Sequence, residues 1–171
     1  VAENVKGLVN LGDVKNIIQN DFASADGDGY IVLAPKVLHA GNYGVPESRE
    51  RVFFIGIRKD ALRDEALNAL QSLEIPDEYN PYPKPTHSAT VDLPGLLDIV
   101  TTSDVLEGLK EPEDTIDASQ QLYSKAKYLS SGQGQTEIRL DNLGPTIRSE
   151  HHGNIEFRRL SLEHGGKHYE E

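Results

Sequence analysis

The chain contains no Cys, no Met and no Trp in 171 residues, and its 17 basic side chains are well outnumbered by 28 acidic ones. Without Cys there can be no disulfide framework, thiolate metal site or thiol nucleophile in this stretch, so any chemistry it performs uses oxygen and nitrogen groups. No apolar run approaches the roughly 20 residues of a membrane-spanning helix, and no basic segment leads into an apolar one as in an export signal. The sequence therefore reads as a soluble, cytoplasmic protein. At ordinary usage about four Met would be expected in this length. Their absence, with a start on Val1 inside an apolar-polar run, suggests a piece of a longer protein. A formal net charge of −11 argues at first sight against a nucleic-acid partner, because a polyanion is normally met by a basic surface.

That charge is unevenly spread. Residues 1–59 hold seven acidic and seven basic side chains, residues 60–121 fourteen and three, and residues 122–171 seven and seven. All of the excess lies in the middle stretch, which is expected to be a solvated face.

What is present begins as α/β. Val14, Ile17, Ile18, Phe22 and Ala25 recur at helical spacing behind Asp13, a plausible N-cap, and Asp26-Gly27-Asp28-Gly29 ends that helix. The same glycine-aspartate run brushes against a calcium-loop pattern but lacks the closing Glu, and a plain turn explains it better. Tyr30 to Leu38 and Val52 to Ile57 are β-branched and aromatic runs that predict two strands joined by a long loop. A second helix is expected from Ala61 to Leu73. Pro81, Pro83, Pro85 and Pro94 then mark a linker or an irregular start to a new unit. Leu96 to Leu109 predicts a helix and a turn, and short strands with extended loops are expected beyond Gln120.

Two segments carry the chemistry. Val1-Ala2-Glu3-Asn4-Val5-Lys6-Gly7 delivers a carboxylate and an amide at the end of a short strand, where open α/β sheets bind ligands, although Glu-Asn near a turn is more often an ordinary surface feature than a site. Asn42-Tyr43-Gly44-Val45-Pro46-Glu47-Ser48-Arg49-Glu50-Arg51 runs into Val52-Phe53-Phe54-Ile55-Gly56. Arg49 and Arg51 are two apart, so on an extended segment they point the same way; alternating charge there also describes a salt-bridged start to a strand.

Taken together, Glu3-Asn4-Val5 followed by a helix, a strand and Gly-Val-Pro-x-x-Arg-x-Arg resembles the DNA (cytosine-5) methyltransferase family, in the order of its motifs VI and VIII. Pro85-Thr86-His87-Ser88 resembles the segment that leads into the family's target recognition domain. The resemblance implies a Rossmann-like catalytic sheet, of which residues 1–80 supply the C-terminal edge, and a small, mostly β recognition domain over 81–171. It implies methyl transfer from S-adenosylmethionine to C5 of a cytosine flipped out of double-stranded DNA, in a bacterial restriction-modification setting. Catalytic roles then fall to Glu3 at the ring N3, Arg51 at O2, Arg49 as a support for the carboxylate, and Asn4 as a shaper of the pocket backbone. A carboxyl at N3 serves if burial raises its pKa enough to hold a proton, and a fixed cation at O2 offsets developing negative charge.

Within 122–160, Lys125, Lys127, Arg139, Arg148 and Arg158 are interleaved with Gln133, Gln135, Thr136, His151, His152 and Asn154 on Gly-rich loops. Those side-chain types read guanine and adenine edges and hold phosphates, which makes this stretch the candidate DNA-reading surface. Glu47 departs from the family, which usually has Gln there; a carboxylate would repel a phosphate. The family's Pro-Cys nucleophile and its Gly-rich cofactor turn both belong upstream of motif VI, so the chain alone is expected to be inactive. It would bind S-adenosylmethionine mainly through a missing N-terminal half. His164 and His168 are spaced as helical metal ligands, but Gly165-Gly166 between them argues against a helix, and no metal is expected. The rival reading is a noncatalytic DNA-binding or interaction module that keeps the fold.

Overall fold

The computed structural model describes residues 1–25, 29–108, 110, 114–118 and 139–146. They form mixed α and β structure in two compact units. The first comprises the described residues of Val1–His39 and Glu50–Thr86; the second comprises Ala40–Arg49 and the described residues from His87 onward.

In the first unit, β1 (Ala2–Val5), β5 (Glu50–Phe54) and β3 (Lys36–His39) form an antiparallel sheet in the order β1-β5-β3. A second antiparallel pair joins β2 (Tyr30–Val32) to β6 (Gly56–Arg58). The run from Tyr30 to Leu38, expected as one strand, is thus two, and so is the run from Val52 to Ile57. Val32 lies opposite Gly56 and Lys36 opposite Phe53, so Leu33, Ala34 and Pro35 face only Phe54 and Ile55. The extra residue is a β-bulge. Pro35 has no N–H to give to a ladder, which favours the break there.

The bulge changes which residues face the core. Strand side chains alternate, so without it β2 and β3 would present residues of one parity. Instead Ile31 and Leu33 from before the bulge and Leu38 from after it meet Phe53, Ile55 and Ile57, together with Leu70 and Tyr82. Tyr82 seals the defect. Its buried hydroxyl lies 3.0 Å from Ala34 O and 3.1 Å from Phe53 O, and Lys36 Nζ stands over its ring. Val52 and Phe54 are fully buried on the opposite face of β5.

Helix α1 (Val14–Ala23) ends two residues before the expected Ala25. Ser24 closes it by donating its hydroxyl to Asn20 O, and Gly29 at φ +75° comes so close to Ala23 O that a Cβ would stand 2.2 Å away. Asp13 does not cap this helix through its side chain; it accepts from Asn16 instead. Helix α2 (Asp64–Leu70) is shorter than the predicted Ala61 to Leu73, because Lys59–Ala61 is a 3-10 turn and Leu62 is extended. Asp64 and Glu65 in its first turn suit the helix dipole.

In the second unit, Ala40–Tyr43 forms a 3-10 turn. The buried Asn42 holds it to the segment after His87: its Nδ2 donates to Thr90 Oγ1 at 2.8 Å, its Oδ1 accepts from Thr90 N–H at 2.9 Å, and its carbonyl accepts from His87 N–H at 3.0 Å. Gly44, at φ +78°, lies against the His87 ring, where a Cβ would meet Cε1 at 2.7 Å. The expected helix within Leu96 to Leu109 is only α3 (Thr102–Leu106), which starts in a reciprocal capping box between Thr101 and Asp104. β4 (Glu47–Ser48) pairs in parallel with β7 (Gly144–Pro145), a short strand in the region expected to hold such strands. Among the described residues no helix is long and apolar enough to cross a membrane, and no cluster of His, Cys, Asp or Glu could hold a metal ion.

Candidate active site and nucleic-acid interface

β1 places Glu3 opposite Phe53 and Val5 opposite Arg51. Glu3 and Arg51 are therefore diagonal neighbours on one face of the sheet, the same face that carries Phe53. Arg51 Nε lies 3.6 Å from Glu3 Oε2. The guanidinium is the more enclosed partner, with 21% of its side chain exposed against 51% for Glu3, and Arg51 Nη1 also donates to Glu50 O at 2.8 Å. Arg51 is thus a fixed cation and Glu3 a carboxylate open on its outer side. An ion pair of this length and exposure contributes little stability. Its interest is chemical: a carboxylate and a fixed cation stand side by side on one face of the sheet.

Asn4 alternates to the other side of β1 and accepts from Val5 N–H through Oδ1 at 2.8 Å, a local bond that shapes the strand end. Lys6 follows, bound to both oxygens of Glu50 at 2.8 and 2.9 Å.

Arg49 belongs to the second unit, between β4 and β5 and in neither ladder. The strand alternation expected to aim it with Arg51 is therefore not enforced by sheet pairing. Its Nη1 lies 3.6 Å from Glu47 Oε1, and Glu47 is the more buried of the two at 19% exposed. Backbone bonds fix Arg49 on both sides, from Arg49 N–H to Glu47 O at 3.0 Å and from Ala40 N–H to Arg49 O at 2.8 Å. Glu47, expected to trouble a contact with DNA, has an internal cation as partner.

Of the proposed DNA-reading residues, Arg139 is described. Its guanidinium grips Asp141 with two hydrogen bonds of 2.9 and 3.2 Å, both side chains largely exposed. Those bonds hold the Asp141 carboxyl below the usual range and raise the Arg139 guanidinium. Lys125, Lys127, Gln133, Gln135, Thr136, Arg148, His151, His152, Asn154 and Arg158 lie outside the described residues, as do His164, His168 and Asp26-Gly27-Asp28.

Sequence reasoning missed Asn42, Tyr82 and Thr146. Asn42 stands in the very loop that was singled out, but its partner Thr90 is 48 positions away and nothing local points to it.

Comparison with known proteins decides the family. Residues 1–161 match the family described as C-5 cytosine-specific DNA methylase. The chain belongs to that family. It is similar to the Type II methyltransferase M.BsuRI of Bacillus subtilis, 45% identical over 95 residues, which is 54% of this chain and 17% of the relative. M.BspRI of Lysinibacillus sphaericus is 50% identical over 62 residues, 35% of this chain and 14% of the relative. M.NgoFVII of Neisseria gonorrhoeae is 32% identical over 111 residues, 65% of this chain and 25% of the relative. The matched part of the chain thus spans a quarter or less of each of these relatives. No solved structure is significantly similar to it.

Proposed function

We propose that this methylase-family chain is the later part of a DNA cytosine-5 methyltransferase of the restriction-modification kind, acting in the cytoplasm. In this reading residues 1–80 complete the edge of a Rossmann-like catalytic sheet, and residues 81–171 begin the target recognition domain. The substrate is a cytosine flipped out of a specific duplex site, since the target atom is otherwise buried in the base stack.

The observation that carries the reading is the Glu3–Arg51 pair on one sheet face, inside a chain of this family. A nucleophile adding to C6 of cytosine pushes negative charge toward N3 and O2. In this reading Glu3 is the partner of the ring N3. Arg51, already fixed by Glu50 O, sets a positive charge at O2 without reorganising. Arg49 and Asn4 support the loop and strand end that carry them.

Gly29 and Gly44, at positive φ, are closely approached by Ala23 O and the His87 ring, so neither of these two offers a backbone cradle for S-adenosylmethionine. The cofactor, whose methyl group is the one transferred, would be bound mainly by an upstream half, and so would the thiol nucleophile. Exposed Val5, Leu11 and Ile17 support an upstream partner that covers this unit.

The test joins the chain to an upstream half carrying the cysteine and cofactor motifs and measures methyl transfer to cytosine. E3Q and R51A should each lower the rate at least a hundredfold, in the range typical for lost acid and electrostatic groups. Unchanged rates leave only the noncatalytic module. Exchanging residues 122–160 for those of a relative should change the DNA site modified, and unchanged specificity removes the recognition role.

A further inference from the structure

Residues 139–146 are fastened at two places within their unit. At one end Thr102 N–H and Thr102 Oγ1 both donate to Asn142 O, at 2.9 and 3.0 Å, and Ser103 N–H donates to Leu140 O at 2.8 Å. At the other end Gly144 N–H donates to Pro46 O at 2.9 Å and Thr146 Oγ1 donates to Ser48 O at 2.7 Å, on either side of the β4–β7 pairing. Gly144 has no spare room: a Cβ would stand 3.2 Å from Pro46 O and 3.3 Å from Thr102 Oγ1.

The two carbonyls held in this way, Pro46 O and Ser48 O, flank Glu47. The carboxylate of Glu47 pairs with Arg49 at 3.6 Å, too long a contact to set its own geometry. The backbone on which the two side chains stand is gripped from residues 144–146. Thr146 is 98 positions from Ser48 and lies within the stretch assigned to DNA reading.

We propose that Thr146 is a positioning residue for Arg49: by holding Ser48 O it fixes the Glu47–Arg49 pair, so that part of the recognition stretch sets the aim of the active-site loop. The inference rests on the methyltransferase reading above and adds to it a physical link between reading the site and aligning the chemistry.

T146V removes the donor while keeping the shape, and T146S keeps the donor. In the full-length enzyme T146V should lower kcat roughly fivefold, the scale of one lost hydrogen bond, with DNA Kd within about twofold of the parent and kcat restored in T146S. In the chain itself, T146V should speed hydrogen exchange at the Gly144 amide. A parental kcat in T146V, or an equal loss in T146S, overturns the proposal. G144A is the second variant, because it crowds Pro46 O without touching Thr146. It should give the same kcat-selective loss, and a loss in DNA binding with kcat intact overturns the proposal. R51A, run in parallel, separates the two ideas. If R51A is inactive and T146V is normal, the positioning role alone fails; if R51A is fully active, the catalytic reading fails and takes this inference with it.

Discussion

Replacing Tyr82 by Phe deletes one oxygen atom and leaves the ring. In the folded chain that oxygen stands 3.0 Å from Ala34 O and 3.1 Å from Phe53 O, the carbonyls at the bulge between β3 and β5. Its single hydrogen serves both, and the site is nearly closed to water, with Tyr82 7% exposed. The net value of such a bond is about 1 kcal/mol, rising to roughly 1–3 kcal/mol where a buried acceptor is left without a partner. Phe keeps the apolar contacts with Ile31, Leu33 and Leu70, and keeps the face over which Lys36 Nζ lies at 4.9 Å. Y82F should therefore cost about 1–2 kcal/mol, whereas Y82A, which also opens a cavity, should cost about 3–5 kcal/mol. Urea unfolding of the chain gives both numbers, and hydrogen exchange across β2, β3, β5 and β6 shows whether the loss is centred on the bulge. The pH dependence supplies a further check. Burial pushes the Tyr82 phenol above its ordinary value, so the folded state holds that proton more tightly than the unfolded state. Its contribution is whole below about pH 10 and is lost as pH rises through the folded value. Y82F should lose that alkaline slope. A Y82F variant as stable as the parent, or as damaged as Y82A, refutes the view that the hydroxyl pins the bulge.

Other outcomes follow from the same geometry. G29A should destabilise by more than about 1 kcal/mol, since it asks for a Cβ at positive φ against Ala23 O; thermal melting tests it. N42A strips both side-chain bonds to Thr90 and should cost about 2–3 kcal/mol, read as faster exchange at the His87 and Thr90 amides. Asp104, held below the usual carboxylate range by its bonds to Thr101, binds its proton less tightly folded than unfolded. The cap on α3 should thus persist above the ordinary aspartate range and loosen as pH falls through the lowered value. NMR titration of the Thr101 amide would follow this, and D104N should flatten the curve.

The candidate site was legible where its signals were local. Glu3 and Arg51 each sit beside a glycine-bearing turn or a β-branched run, and strand alternation alone puts them on compatible faces once β1 and β5 pair. The bulge was not legible, because Tyr30 to Leu38 reads as an unbroken strand and nothing short of its partner's register shows that parity changes at Leu33-Ala34-Pro35. The helices were placed correctly but overextended. Periodicity marks every residue that fits a face, while the ends were decided by Ser24, by Gly29 and by the extended Leu62. The fastening of Glu47 and Arg49 was beyond reach, since Asn42, His87, Thr90 and Gly144–Thr146 meet across long stretches of chain.

The path of the chain between its two units has a practical side. It leaves the first unit at Ala40, returns at Glu50, and leaves again after Thr86. No single cut separates them. On the domain division proposed above, a recombination event that imports a new recognition region at one crossover near residue 86 would pair the resident Asn42, Pro46 and Ser48 with foreign counterparts of Thr90, Gly144 and Thr146. On that proposal, inheritance of a new target site should succeed when residues 40–49 travel with it, or when the donor already matches those few contacts. The ten-residue excursion would then act as a compatibility key between interchangeable parts.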